Sequence, residues 1–458
     1  MHAEIGGLAE KRGGTHTVPY RGCGNGGHDD GATGVRAPFA RYWLSQFLAD
    51  FGDGVRLAAL PLLAAQLTRS PAAVAAVTAV QSLPWLMGAG LGVIVDRTDR
   101  RRLIVAVDIT RAAIIAALAG AILLHAEGLA LIYLTAFTTG VGSALRRTAA
   151  VTCVPRLVSS ADLDRANGRL IAGQIVGNEL AGPAAGGWLF GLSAAVPFAV
   201  NAGALGIAML LLLTLPSVFQ PAGQPAQQGS EPARATVRQD LAEGLAWLRR
   251  HSEIRDLTIA VGVISAMDAA WIAVLVLYAI QILHQKPGGY GALLAIAAIG
   301  GIAAGATGSR LTRRLGTWPV LLLAGLTMAA TQLVLGLTAN LPIAALMLAA
   351  SSAAWALFDM TATTMRQRLV PDRLLGRVTS LYGTVFGGAE AGGALAGGVL
   401  AAAAGIRVPM LAGAAPIAAA TIYIGWRHRA AGQDQIRPAG PRRFDPAARP
   451  LHGNRKGS

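Results

Sequence analysis

Seven ionisable residues stand inside apolar runs of this sequence: Asp50, Asp53, Arg56, Glu179, Asp268, Asp359 and Glu390. A charge in such a run is expensive and by default marks function. A carboxylate held in an apolar cavity can carry a proton in the working pH range. Asp53, Asp268, Glu179, Asp359 and Glu390 are therefore candidate proton carriers. Asp53 and Arg56 are i, i+3 neighbours on a helix and can pair. Asp50 and Asp53 also have a structural reading, as partners of Arg56 or caps of a helix break at Gly52 and Gly54. Asp108 and Arg111 fall near the start of another run, closer to an interface. Trp271 follows Asp268 by three residues and shares its face. Trp271 and Tyr278, with Trp85 and Trp355, are candidates to stack on a substrate, whereas Trp188 suits an interfacial belt.

Other chemistries lack their residues. There is no GxxxxGK[ST] segment to cradle a nucleotide. No Ser/His/Asp constellation emerges, and His16, Cys23 and His28 have no metal-ligand spacing. Asp96 and Asp99 form a DxxD, but arginines crowd it, which argues against a metal–diphosphate site. The sequence thus implies no cofactor, no metal and no enzyme.

The elements that must position these residues follow from composition. The chain has 458 residues, 53% hydrophobic and only 14% charged. Its mean hydropathy is +0.49. Soluble domains carry about 25% charged residues, so a soluble protein is excluded, and so is disorder throughout. Two cysteines cannot build a disulfide framework. A membrane-spanning helix needs roughly 20 apolar residues. Twelve such runs are found at 40–67, 72–95, 103–125, 128–156, 165–191, 194–215, 255–283, 288–308, 317–338, 341–369, 375–403 and 405–427. They are too long for the strands of a barrel. The expected fold is an all-α membrane protein of twelve transmembrane helices.

Net charge is +15, and all but Lys11, Lys286 and Lys456 of the 39 basic residues are arginine. The arginines cluster in alternate connections, at 97–102, 146–169, 234–255, 310–314 and 366–377. The other connections hold only Arg69, Lys286 and Arg407. By the positive-inside rule the rich loops face the cytoplasm, as do both termini. Charge that follows the loops of a multi-span chain excludes a nucleic-acid partner. Residues 1–37 and 428–458 read as cytoplasmic tails, the first flexible and the second basic enough to touch an anionic leaflet. Residues 216–254 open as a Pro/Gln/Gly linker and continue as an amphipathic cytoplasmic helix around Leu241, Leu245 and Leu248. They separate two six-helix bundles, 38–215 and 255–427. The bundles are repeats: Arg156-Leu157-Val158 recurs as Arg368-Leu369-Val370, and Gly92, Arg97, Arg100 and Arg101 recur as Gly305, Arg310, Arg313 and Arg314. Asp53 maps to Asp268, and Asp359 aligns with Arg147, so those two are a candidate ion pair between the halves. A parallel duplication of six spans places substrate at mid-depth between halves.

Several segments carry a family resemblance over about 38–427. They are RYWLSQFLADFGDGVRLAALPLL in the first span, GVIVDRTDRRRL after the second, VPRLVSSADLDRAN after the fourth and DLAEGLAWLRRH before the seventh. In these the chain resembles the major facilitator superfamily, and within it the drug:proton antiporter branch of macrolide efflux proteins and enterobactin exporters. The resemblance implies that Gly92, Asp96, Arg97, Arg100 and Arg101 form a gating loop that latches the halves; anchoring of topology is the plainer reading. Asp99 stands where the superfamily often has Gly. The fifth span, with Gly177, Gly182, Pro183, Gly186 and Gly187, is similar to the antiporter motif GxxxxGPxxGG of exporters. Small residues there also permit close helix packing.

The resulting expectation is a secondary transporter of a bacterial plasma membrane, monomeric. It exports a small amphipathic drug or secondary metabolite in exchange for protons by alternating access. A siderophore or lipid carrier of the same fold, and a non-transporting membrane sensor, are the alternatives.

Overall fold

Helix boundaries fall where the sequence supplies stop signals. The computed structural model describes residues 36–87, 98–151, 154, 157–158, 162–215 and 237–428. The first half contains α1 (Arg36–Leu67), α2 (Pro71–Ser82, continued by a 3-10 turn Leu83–Met87), α3 (Arg100–Leu123), α4 (Leu129–Val151), α5 (Leu163–Gln174), α6 (Gly182–Leu192) and α7 (Val196–Leu213). Helix α8 (Val237–Arg250) precedes the second half. That half contains α9 (Ser252–Ile272), α10 (Pro287–Leu315), α11 (Thr317–Leu337), α12 (Leu341–Leu369), α13 (Asp372–Ala404) and α14 (Val408–His428). Ser70, Asp99 and Asn340 cap α2, α3 and α12 by accepting a first-turn N–H, from Ala73, Arg102 and Ile343 respectively. Gly316 (φ 88°) and Gly405 (φ 107°) let the chain reverse in tight turns between α10 and α11 and after α13.

Residues 1–35 and 429–458 of the proposed tails, Gly92, Asp96, Arg97 and the linker 216–236 lie outside the described residues, as do the side chains of Arg100 and Arg101; Arg36, Ala37 and His428, placed in the tails by sequence, belong to α1 and α14. Among the described residues nine helical segments are long and apolar enough to cross a membrane. The other three passages are α1, whose charges dilute it, the shorter α2, and the α5–α6 pair. The segment Ile175–Ala181 that joins α5 to α6 is π-helical, and Gly182 N–H bonds to Gly177 O. Pro183 accounts for it: its ring cannot follow a regular helical turn, and the ladder slips by one residue. A second π turn, Tyr278–Ile282, extends the seventh passage beyond α9.

Four apolar clusters decide the shape. Two unite the halves: a large one with Leu60, Leu63 and Val77 from the first and Leu275, Tyr278 and Tyr290 from the second, and a small one with Ala75 and Ala79 from the first and Ala269 and Ala394 from the second. Two others are confined to one half each. Phe39, Ile104 and Leu145 belong to the first; Ile254, Trp318 and Met365 belong to the second. The shared core lies away from the arginine-rich connections, and the separate cores lie beside them. The halves are therefore joined at one end and divided at the arginine-rich end.

Two seams make the join: α6 on α10, and α2 on α13. Both depend on glycine in the same register. A methyl added to Gly187 would stand 2.8 Å from Gly291 Cα across the seam, and one added to the adjacent Gly186 would stand 3.0 Å from Val55 Cα of α1, within the first half. Their repeat counterparts behave alike: Gly397 abuts Ala270 of α9, and a methyl at Gly398 would stand 2.9 Å from Ala72 Cα of α2. So the glycine motif of the fifth span has a packing role, and the eleventh span repeats it without the proline. Without a hydrophobic drive between helices in lipid, such close backbone contact supplies the attraction. Gly186→Ala should therefore lower stability by about 1–3 kcal/mol, read as a fall in the unfolding midpoint. Gly191→Ala, where nothing lies within 4 Å, should leave it unchanged.

Candidate functional site

Two acidic centres occupy equivalent places in the two halves, and they are built differently. In the first, Asp53 of α1 is ion-paired with Arg111 of α3. Arg56 Nη2 lies 3.6 Å from Asp53, and Ser143 Oγ of α4 donates to it at 3.1 Å. Arg56 also donates to Gln81 of α2 at 3.1 Å. The network continues through Asp108, which pairs with Arg146 of α4 and lies 3.6 Å from Arg111. Arg146 in turn donates to Gln46 Oε1 at 2.6 Å and to Ser45 O at 3.2 Å. Arg56, Arg111, Arg146 and Asp108 are all buried. This cluster binds four spans through charge and is a structural knot.

Two expectations change here. Asp108 and Arg111 are not interfacial: each is 1% exposed, and both lie inside the knot. Arg56, read as the partner of Asp53, is there, but Arg111 is the nearer cation. The i, i+3 spacing of Asp108 and Arg111 repeats that of Asp53 and Arg56, and was the available signal.

In the second half, Asp268 of α9 accepts a hydrogen bond from Trp271 Nε1 at 2.9 Å. Trp271 occupies the repeat position of Arg56, so a neutral indole replaces a guanidinium. Gln332 of α11 lies beside Asp268 and is fully buried. Glu390 of α13 lies within electrostatic range of Asp268. No ion pair to Asp268 or Glu390 is found among the described residues. Asp53 and Asp268 each engage their own half rather than facing one another.

The remaining candidates spread around the division between halves. Glu179, on the π-helical segment, is exposed and electrostatically linked to Arg147. Arg147 is exposed and sits 5.8 Å over the Trp85 ring. Asp359 is exposed near Arg366, which stacks 3.9 Å over Tyr382. Trp355 and Phe386 are paired at 6.0 Å. No ion pair between Arg147 and Asp359 is present in this state. Tyr278 is not a cavity residue: it is fully buried, and its hydroxyl donates to Thr338 O at 3.2 Å. The period of the sequence cannot separate a cavity face from a core face, which is why it was misplaced. Trp188 is 62% exposed, as an interfacial residue would be. Sequence reasoning missed one further cluster, at the arginine-rich end. There Asp256 meets Arg255 at 3.0 Å, Arg427 at 3.3 Å and His428 at 3.1 Å, with His428 stacked on Trp318.

Removing one partner of a buried ion pair leaves an uncompensated charge and costs about 3–5 kcal/mol. Arg111→Ala should therefore sharply lower the unfolding midpoint of the purified protein. Arg147→Ala, at an exposed site, should barely move it. Equal effects would contradict the knot.

Comparison with known proteins agrees with this architecture. No curated protein matches the sequence significantly. Among solved structures, the nucleoside transporter NupG superposes with a TM-score of 0.69 at 13% identity, over 86% of this chain and 99% of that one. A bacterial homologue of the iron transporter ferroportin, in an inward-facing state, gives 0.65 at 18%, over 85% and 99%. A bacterial homologue of the human lysosomal transporter Spinster, also inward-facing, gives 0.64 at 18%, over 88% and 98%. These likenesses describe the fold alone. The family model for transmembrane secretion effectors matches residues 35–446. The chain is thus a multi-pass membrane transporter that belongs to the transmembrane secretion effector family of the major facilitator superfamily.

Proposed function

We propose that this transporter exports a small amphipathic organic compound in exchange for protons, with Asp268 and Glu390 as the proton-carrying pair. One observation carries the reading: neither Asp268 nor Glu390 has an ion-pair partner among the described residues, while Asp53, the counterpart of Asp268, is held by Arg111 and Arg56. A carboxylate without a cation, in a site of low dielectric, is relieved by taking up a proton. Asp53 is already neutralised by its arginines and has no such need. The family description, secretion, supports outward transport.

The cycle follows from the division of the halves. The arginine-rich end, with both termini, is cytoplasmic by the positive-inside rule. The present state is divided at that end, so it receives substrate from inside. The surfaces offered there are Trp85, Trp355 and Phe386, with Glu179 and Asp359 exposed beside them. Loss of the proton to the cytoplasm accompanies substrate binding. Closure at that end and opening at the other release the compound and admit an external proton. Protonation then favours the return. Asp359 and Arg147, equivalent in the repeat and facing the same division, pair when the arginine-rich end closes. The carrier acts as a monomer in a bacterial plasma membrane.

Acid-loaded inverted vesicles test the coupling. Addition of a transported compound from a panel of amphipathic drugs and siderophores should release protons. Asp268→Asn or Glu390→Gln should abolish that release while the protein stays folded. Release surviving in both variants would move the proton site to Glu179 or Asp359. No release with any compound, from folded protein, would overturn proton exchange.

A further inference from the structure

Helices α11 and α14 touch closely along most of their length and part at the arginine-rich end. At mid-depth a methyl added to Gly325 would stand 2.9 Å from Thr421 Cβ. At the far end one added to Gly336 would stand 2.6 Å from Leu411 Cδ2. At Gly425 only the Leu322 side chain comes near, at 3.2 Å. The parting leaves a groove of about 230 Å³, lined by Trp318, Pro319, Leu322, Leu323 and Leu326 of α11 and by Gly425 of α14. Trp318 and Leu326 are about 12 Å apart along the helix axis, at 1.5 Å per residue. The groove opens on the outside of the bundle. Leu323 and Leu326 are exposed, as are Ile422 and Trp426 of α14 beside Gly425. Neither helix takes part in a seam between the halves. The groove is therefore reached from the bilayer and not from the division that receives the transported compound.

Its floor is fixed and its mouth is charged. The Trp318 ring stacks on His428 at 4.8 Å, and His428 Nε2 lies 3.1 Å from Asp256, which also holds Arg255 and Arg427. A floor held in this way needs little ordering when a ligand arrives. Arg313 and Arg314 stand in the last turn of α10, and Gly316 alone separates α10 from α11. Both arginines are exposed, and no ion pair to either is found among the described residues. The sequence has no acid between Lys286 and Asp359 to balance them. Anchoring of topology accounts for the arginines, but not for an apolar groove that starts beside them.

We propose that this groove binds an anionic phospholipid, with one acyl chain along Leu322, Leu323 and Leu326 and the phosphate on Arg313 and Arg314. The chain supplies the dispersion contacts that α14 does not give α11 there. The two arginines select the headgroup, since basic pockets between spans hold anionic lipids. The orientation proposed above places this lipid in the cytoplasmic leaflet. It fastens α10, α11 and α14 together at the end where their own contact fails.

Photocrosslinking tests the site. The purified full chain in detergent receives phosphatidylglycerol or phosphatidylcholine of identical chains, each with a diazirine on one acyl chain. Peptide mass spectrometry locates the adducts, and native mass spectrometry counts lipids per chain. Phosphatidylglycerol should label Leu322, Leu323 or Leu326 at about tenfold lower concentration than phosphatidylcholine, the preference expected of two arginines at a membrane surface. Gly425→Leu fills the groove and should remove these adducts and one bound lipid, with the unfolding midpoint in lipid-free detergent unchanged. Arg313→Gln with Arg314→Gln, at exposed positions that folding does not need, should keep the phosphatidylcholine adducts and lower phosphatidylglycerol to their level. Lys286→Gln, a cation at the opposite end, should change neither. Equal labelling by both lipids in the parent would overturn the headgroup assignment. Adducts elsewhere than α11 would overturn the site. A dimeric parent whose α11 is shielded from both lipids would give the groove to a second copy of the chain and overturn the proposal as well.

Discussion

A carboxylate buried among apolar helices must be neutralised, and the two halves of this transporter meet that demand in different ways. In the first half Arg56, Arg111 and Arg146 surround Asp53 and Asp108, and four spans are tied by the result. In the second half Trp271 stands where Arg56 would be, and Asp268 accepts an indole N–H in place of a guanidinium. A paired charge gives rigidity but cannot easily change state. An unpaired one costs stability unless it can take up a proton. Duplication supplied two equivalent sites, and divergence of a few residues surrounded one with cations and left the other without an ion pair among the described residues.

The same division of labour runs through the seams. Both use glycine at matching positions, so that backbones meet directly. Contacts of this kind are strong while they last and impose no hydrogen-bond debt when they separate. The first seam is preceded by the π-helical step at Pro183, which the second lacks. The join between halves is therefore nearly neutral toward motion.

Much of the architecture was legible because membrane folding is dominated by a few large terms. Apolar length and arginine placement located all twelve passages, and each lies where a described helix or helix pair is found. The repeat was visible from Asp53 and Asp268 and from the glycine motif. The charge knot was harder. Asp108 and Arg111 sit near the arginine-rich start of α3 in sequence, yet α3 enters the bundle at a depth that buries them. No periodicity reports that depth, since it is set by which neighbours α3 packs against. Tyr278 was misplaced for a similar reason: a helix with partners on several sides has no face that sequence alone assigns to a cavity. Gln332 was invisible because an uncharged polar residue in a span gives no alarm until its neighbours are known.

The charges of α1 have a consequence for how the protein enters the membrane. This helix is not among those apolar enough to be recognised as spans by composition, and it carries Asp50, Asp53 and Arg56. A newly made α1 alone would bring these groups into hydrocarbon at a cost of about 2.5–3.5 kcal/mol for each near the centre. Its partners Arg111 and Ser143 are on α3 and α4, which are synthesised later. The first span therefore cannot settle independently. Its charges are matched in full only once α2, α3 and α4 have followed, so the stability of the first span is tied to that of the three after it.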